Sequence, residues 1–126
     1  MSRQGIELGK SGEEVALGYL KNKGYRILER NFKNSLGEID IIAKDKKTWC
    51  FIEVKTRTNL DKGLPQEAIT PAKQHKLSKV ALSFLKSRKL LNSPARFDIV
   101  SVLKNPEGEK VELIQNAFFL DSHYLY

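Results

Sequence analysis

At 126 residues the chain has the length of one domain, and a hydrophobic content of 40% is enough to bury a core. Lys and Arg number 22 against 15 Asp and Glu, and this net charge of +7 favours polyanions, either nucleic acid or an anionic membrane face. A lone Cys50 excludes an internal disulfide and a zinc site built from cysteines. With no apolar run of membrane-spanning length and a polar start at Met1-Ser2-Arg3-Gln4-Gly5, a cytoplasmic protein that does not enter membranes is expected.

Residues 1–10 read as a flexible arm of a single domain covering 1–126. Ser11 and Glu14 have the spacing of a capping box, so a helix is expected from about Gly12, with Val15, Ala16, Tyr19 and Leu20 on its apolar side and a stop near Gly24. Tyr25 to Phe32 reads as a first strand, Asn34-Ser35-Leu36-Gly37 as a turn, and Glu38 to Ala43 as a second strand. Asp45-Lys46-Lys47 turns the chain into a third strand, Thr48 to Thr56. Residues 57–69 read as a loop. Thr70-Pro71 then offers an N-cap with Pro at the first helical position, and a helix is predicted to about Leu90, with Leu77, Val80, Ala81, Phe84 and Leu85 as its apolar stripe. Asn92-Ser93-Pro94 breaks it. Phe97 to Leu103 and Val111 to Phe119 read as two further strands around the turn Asn105-Pro106-Glu107-Gly108. The predicted order is αβββαββ: an α/β fold with a mixed sheet of about five strands flanked by helices, the long helix permitting a parallel crossover.

The chemistry concentrates in the second and third strands. A turn centred between Lys46 and Lys47 sets Asp40 opposite Glu53, with Lys55 two residues on along the same face. Two opposed carboxylates roughly 5 Å apart at Cβ repel each other. A Mg²⁺ or Mn²⁺ ion between them removes the conflict, because hard cations take oxygen ligands and Mg²⁺ commonly uses one or two carboxylates plus water and phosphate. The Lys55 ammonium can hold a nucleophilic water or offset charge on a phosphate. Glu14 has two readings that are compatible: capping partner of Ser11, or a further metal or water ligand reaching in from the helix end. Arg57, Lys73, Gln74 and Lys76 are candidate nucleic-acid contacts beside this site, against solvent exposure as the plain alternative. His75 and His123 are too isolated for zinc or for a His-based triad.

Glu14 in a first helix, Gly24-Tyr25-Arg26-Ile27-Leu28, Arg30-Asn31-Phe32, Gly37-Glu38-Ile39-Asp40, Phe51-Ile52-Glu53-Val54-Lys55-Thr56-Arg57, Arg96-Phe97-Asp98-Ile99-Val100 and Gln115-Asn116-Ala117-Phe118 together resemble the YraN-like family of small bacterial proteins, over roughly residues 10–119. The resemblance implies a restriction-endonuclease-like fold similar to archaeal Holliday junction resolvases. Those enzymes use a helix Glu, a strand Asp and an E-x-K pair with Mg²⁺, and the roles fall by position on Glu14, Asp40, Glu53 and Lys55. Ile39 stands where the wider nuclease superfamily often has Pro. The expected function is a metal-dependent DNA endonuclease for branched or structured DNA, which would suit a homodimer because two symmetric nicks need two sites. Two rival readings are a non-catalytic nucleic-acid-binding module of the same fold that works with a partner protein, and a basic protein-interaction adaptor.

Overall fold

The computed structural model describes residues 3–59 and 69–118, with side chains from residue 11 onward. The elements run α1 (Arg3–Asn22), β1 (Arg26–Asn34), β2 (Gly37–Asp45), β3 (Thr48–Arg57), α2 (Pro71–Ser87), β4 (Ala95–Asn105) and β5 (Gly108–Phe118). This is the order read from the sequence. Most of the expected loop 57–69, the last residue of the expected fifth strand, Phe119, and His123 lie outside the described residues.

The strands form one sheet in the spatial order β1-β2-β3-β4-β5. Neighbours are antiparallel except β3 and β4, which are parallel from Trp49–Ala95 to Arg57–Leu103 and joined through α2. Among the described residues no helix is long and apolar enough to cross a membrane.

Local chemistry sets the ends of the helices. The Thr70 hydroxyl accepts from the Lys73 N–H (3.3 Å) with Pro71 at the first helical position, as expected of this cap. Both helices close in a Schellman motif. In α1, Tyr25 N–H reaches the Leu20 carbonyl (3.0 Å) and Gly24 N–H the Lys21 carbonyl (3.0 Å), with Gly24 in the left-handed region at φ 91°. In α2, Leu90 N–H reaches Leu85 (2.7 Å) and Lys89 N–H reaches Lys86 (3.1 Å).

The start of α1 corrects the sequence reading. The helix begins at Arg3 and passes straight through Ser11 and Glu14, so these residues cap nothing. The Ser11 hydroxyl instead accepts from the Lys104 ammonium at the end of β4. Gly12 is buried, and a Cβ built on it would run into the Thr56 side chain of β3. Helix and strand touch there because glycine leaves room.

Each face of the sheet buries its own core. On one face Leu17 and Leu20 of α1 cluster with Tyr25, Ile41, Cys50, Ile52, Val100 and neighbours. On the other Phe84 of α2 clusters with Ile39, Ile42, Phe51, Phe97, Ile99 and neighbours. Residues two apart in a strand should share a face. Ile39 and Ile41 do not, since one joins the α2 core and the other the α1 core. Their β1 partners, Phe32 and Arg30, divide in the same way: Phe32 packs on the α2 core and Arg30 reaches Glu14 of α1. The rung between them, Asn31 and Asp40, therefore absorbs a slip of the alternation, and Asn31 takes φ 51° to do so.

Candidate functional site

The slip at Asp40 also ends the ladder between β2 and β3. Its last paired rung is Ile41–Ile52, in the register expected for a turn at Lys46-Lys47. One step further, Asp40 and Glu53 meet through their side chains. The Val54 N–H donates to Asp40 Oδ2 at 2.8 Å, so a carboxylate serves as acceptor for a strand amide. The two carboxyl groups lie close enough for each to act on the other. Glu53 Oε1 is left buried with no hydrogen-bond partner among the described atoms.

Electrostatics follow from this arrangement. Burial raises the Glu53 carboxyl well above the usual carboxylate range, and the Asp40 charge beside it raises it further, against the pull of the Lys55 ammonium. Burial also raises Asp40, opposed first by the Val54 N–H and then by Lys55. Both carboxyls are thereby biased towards the protonated form. An orphaned carboxylate oxygen next to a second buried carboxylate is the donor set a hard divalent cation takes. Among the described residues no three His, Cys, Asp or Glu side chains cluster closely enough to cage an ion by themselves. Mg²⁺ does not need a cage, because it keeps several waters and accepts phosphate oxygens. The residues present therefore fit Mg²⁺ or Mn²⁺ bound by Asp40 and Glu53 with an open side.

The helix acid next to this pair is Glu13. Burial raises its carboxyl first and the Asp40 charge raises it further, while a hydrogen bond with the Asn31 side chain and the charge of Arg30 lower it. Glu14, singled out in the sequence, points elsewhere: its side chain is 66% exposed and pairs with Arg30 at 2.5 Å. The signal that separates the two acids is the helical stripe. Ala16, Leu17 and Leu20 are the buried hydrophobic residues of α1 among those described, and Glu13 precedes them by three, four and seven residues. Val15 and Tyr19, expected on the apolar side, are only half-buried.

Lys55 stands half-buried on β3 and acts on both carboxyls. Arg57 ends β3 and is half-buried. Lys73 and Lys76 are exposed on the first turns of α2. The Gln74 side-chain amide donates to the Ile69 carbonyl at 3.1 Å, so it fastens the entry to α2. His75 is exposed on the same helix.

Asp98 is a buried acid of another kind. Both of its oxygens accept from Arg96 Nε at 3.0 Å, the Tyr25 hydroxyl donates to Oδ2 at 3.3 Å, and the Asn116 N–H donates to Oδ1 at 3.1 Å. Arg96 also donates to Asp45 (2.9 Å) and to the Tyr25 hydroxyl (2.6 Å). This network ties β2, β4, β5 and the end of α1 together and gives both Asp98 oxygens partners within the fold.

A family model described as uncharacterised protein family UPF0102 matches residues 12–102, a span that contains Glu13, Asp40, Glu53 and Lys55. The UPF0102 protein of Syntrophus aciditrophicus is 49% identical over 93% of this chain and 92% of its own length. That of Caldicellulosiruptor saccharolyticus is 52% identical over 89% of the chain and 97% of its own length. That of Geobacter sulfurreducens is 46% identical over 90% and 89% respectively. With matches of this extent covering both cores and the acidic pair, the chain belongs to the uncharacterised protein family UPF0102, the YraN family that its motifs resemble.

Proposed function

We propose that this protein is a metal-dependent DNA endonuclease of restriction-endonuclease-like fold, acting on branched or structured DNA. The observation that carries the reading is Glu53 Oε1, buried without a partner beside Asp40, with the Lys55 ammonium on the same strand. A bound Mg²⁺ or Mn²⁺ supplies Lewis-acid polarisation of a phosphate and a lowered pKa for its water. Asp40 and Glu53 hold that ion. Glu13, in the place first expected of Glu14, adds a third carboxylate within electrostatic reach. Lys55 orients the attacking water and offsets charge that builds on the phosphoryl oxygens. The Val54 N–H fixes the Asp40 carboxylate so that the pair is formed before the ion arrives.

The net charge of +7 supports a polyanionic substrate. A second reading, a nucleic-acid-binding module that does not cut, draws support from the absence of a three-ligand cluster among the described residues. The test is a nicking assay with branched, single-stranded and linear duplex DNA in Mg²⁺, Mn²⁺ or EDTA, run beside calorimetric Mn²⁺ titration. Metal-dependent nicking that is lost in Asp40→Asn and Glu53→Gln, with the fold retained, is the expected result. Mn²⁺ binding without cleavage of any DNA at monomeric or dimeric concentrations turns the assignment to the binding module.

A further inference from the structure

Among the described residues, the excess of positive charge gathers at one of the two ends of the sheet. One end of the sheet carries the acidic pair, Glu13 and the Gly12–Thr56 contact. The opposite end is built from the end of α1, the β2–β3 turn and the segment after α2, gathered by the Arg96 network and by the Trp49 N–H bond to the Pro94 carbonyl at 2.9 Å. Residues 21–29, 44–49 and 86–98 make up this end and hold ten Lys and Arg against three acids. Elsewhere among the residues whose side chains are described, nine basic residues stand against eight acidic ones, so the excess lies at this end. All three acids are already in ion pairs, Glu29 with Arg88, and Asp45 and Asp98 with Arg96. Lys21, Lys23, Lys46, Lys47, Lys86 and Lys89 are exposed.

Two of these lysines sit where the backbone favours another residue. Lys46, in the two-residue turn of the β2–β3 hairpin, has φ 56°, and Lys89, at the left-handed position that closes α2, has φ 59°. Asn or Gly is the usual choice at both kinds of position, and α1 uses Gly24 at the equivalent place. The chain thus keeps a cation where a neutral residue would fit the backbone better, twice and at the same end.

We propose that this end is a metal-independent docking surface for the phosphate backbone of duplex DNA. It shares with the preceding reading only the nucleic-acid partner and needs neither the metal nor the acidic pair. Lysines on flexible stems match a repeating row of phosphates without reading sequence. A bilayer is the poorer occupant, since Leu91 is the one large hydrophobic exposed there among the described residues and offers little to insert. Asp40 lies about five residues along β2 from this end, roughly 15 Å at about 3.3 Å per residue. A duplex held here leaves the site free for a second segment, which is how one molecule would engage a branched or folded substrate.

The experiment compares the wild type with the quadruple variant Lys46→Gln/Lys47→Gln/Lys86→Gln/Lys89→Gln and with its Lys→Arg counterpart, binding duplex DNA in EDTA over a range of salt. The Gln variant should lose more than about tenfold in affinity at low salt, and its salt slope should flatten by roughly 0.9 for each lysine that meets a phosphate. The Arg variant should keep both. Independently of any variant, DNA should protect these four lysines of the wild type from acylation. Unchanged affinity and slope in the Gln variant, lysines equally reactive with and without DNA, or wild-type binding to phosphatidylserine vesicles but not to DNA would each overturn the proposal. A protein that docks DNA here and nicks nothing overturns only the nuclease reading. One that nicks DNA while the Gln variant binds unchanged overturns only the docking surface.

Discussion

The Val54 N–H donates to the Asp40 carboxylate at 2.8 Å, one step past the last paired rung of β2 and β3. A side chain thereby takes over from the backbone as acceptor where the two strands part. Asp40 has two separable duties, one to the fold and one to the site. Replacing it with Ala should leave the half-buried Val54 N–H unpaired and destabilise the protein by about 1–3 kcal/mol. Asp40→Asn keeps an acceptor oxygen and should cost less than about 1 kcal/mol, yet lose Mn²⁺ affinity like the Ala variant. Urea unfolding and calorimetric titration on the same samples separate the two effects.

Glu53 predicts an inverted pH dependence for the metal-free protein. Its carboxyl is pushed from an ordinary 4.5 to about 8 by burial and by Asp40. The folded state therefore holds a proton that the unfolded chain has already released. Its stabilising effect is complete below the unfolded value and is lost as pH rises from about 4.5 through 8. In EDTA the melting temperature should fall across that window, and Glu53→Gln, which cannot ionise, should flatten the fall. Mn²⁺ should restore the wild type at pH 8 and leave the Gln variant unmoved. A wild-type melting temperature that rises steadily from pH 5 to 8 in EDTA would contradict the assignment.

Arg96 and Asp98 carry the largest expected stability effect. The Asp98 side chain has no exposure and Arg96 is its only cationic partner among the described contacts. Arg96→Met strands a buried carboxylate and should cost about 3–5 kcal/mol. Asp98→Asn removes the buried charge and keeps one acceptor oxygen for the Asn116 N–H, while Arg96 keeps Asp45, so a smaller loss is expected. Urea denaturation of both variants checks the order.

The parts of the fold written in short-range chemistry were readable without coordinates. Thr70-Pro71 specified the start of α2, and Lys46-Lys47 between two alternating runs specified the hairpin register that brings Asp40 to Glu53. Three features depended on contacts distant in sequence. The start of α1 was misjudged because Ser11 and Glu14 fit a local cap, whereas Ser11 meets Lys104 and Gly12 meets Thr56. The slip at Asn31 and Asp40 has no signature in one strand alone, since it arises from two strands changing faces together. The basic end depends on three segments distant in sequence coming together, 21–29, 44–49 and 86–98.

The choice between Glu13 and Glu14 gives the sharpest test of the site. Glu13 lies on the buried stripe of α1 and feels Asp40, whereas Glu14 lies in solvent on Arg30. Glu13→Gln should weaken Mn²⁺ binding by about 10–100-fold, the range for groups that support a metal from just beyond it. Glu14→Gln removes one exposed ion pair, worth at most about 1 kcal/mol, and should leave Mn²⁺ binding within about twofold of the wild type. Gly12→Ala acts on the same residue through the backbone. Its added methyl meets Thr56, so α1 must shift away from β3 and carry Glu13 with it. Overpacking of this kind costs about 1–3 kcal/mol, and Mn²⁺ affinity should drop along with stability. The swap Gly12→Ala/Thr56→Gly restores the space and should recover most of the affinity even though glycine weakens the strand. Recovery of metal binding without full recovery of melting temperature ties the helix–strand contact to the position of Glu13. Equal effects of Glu13→Gln and Glu14→Gln would instead mean that the helix acids act only through their charge.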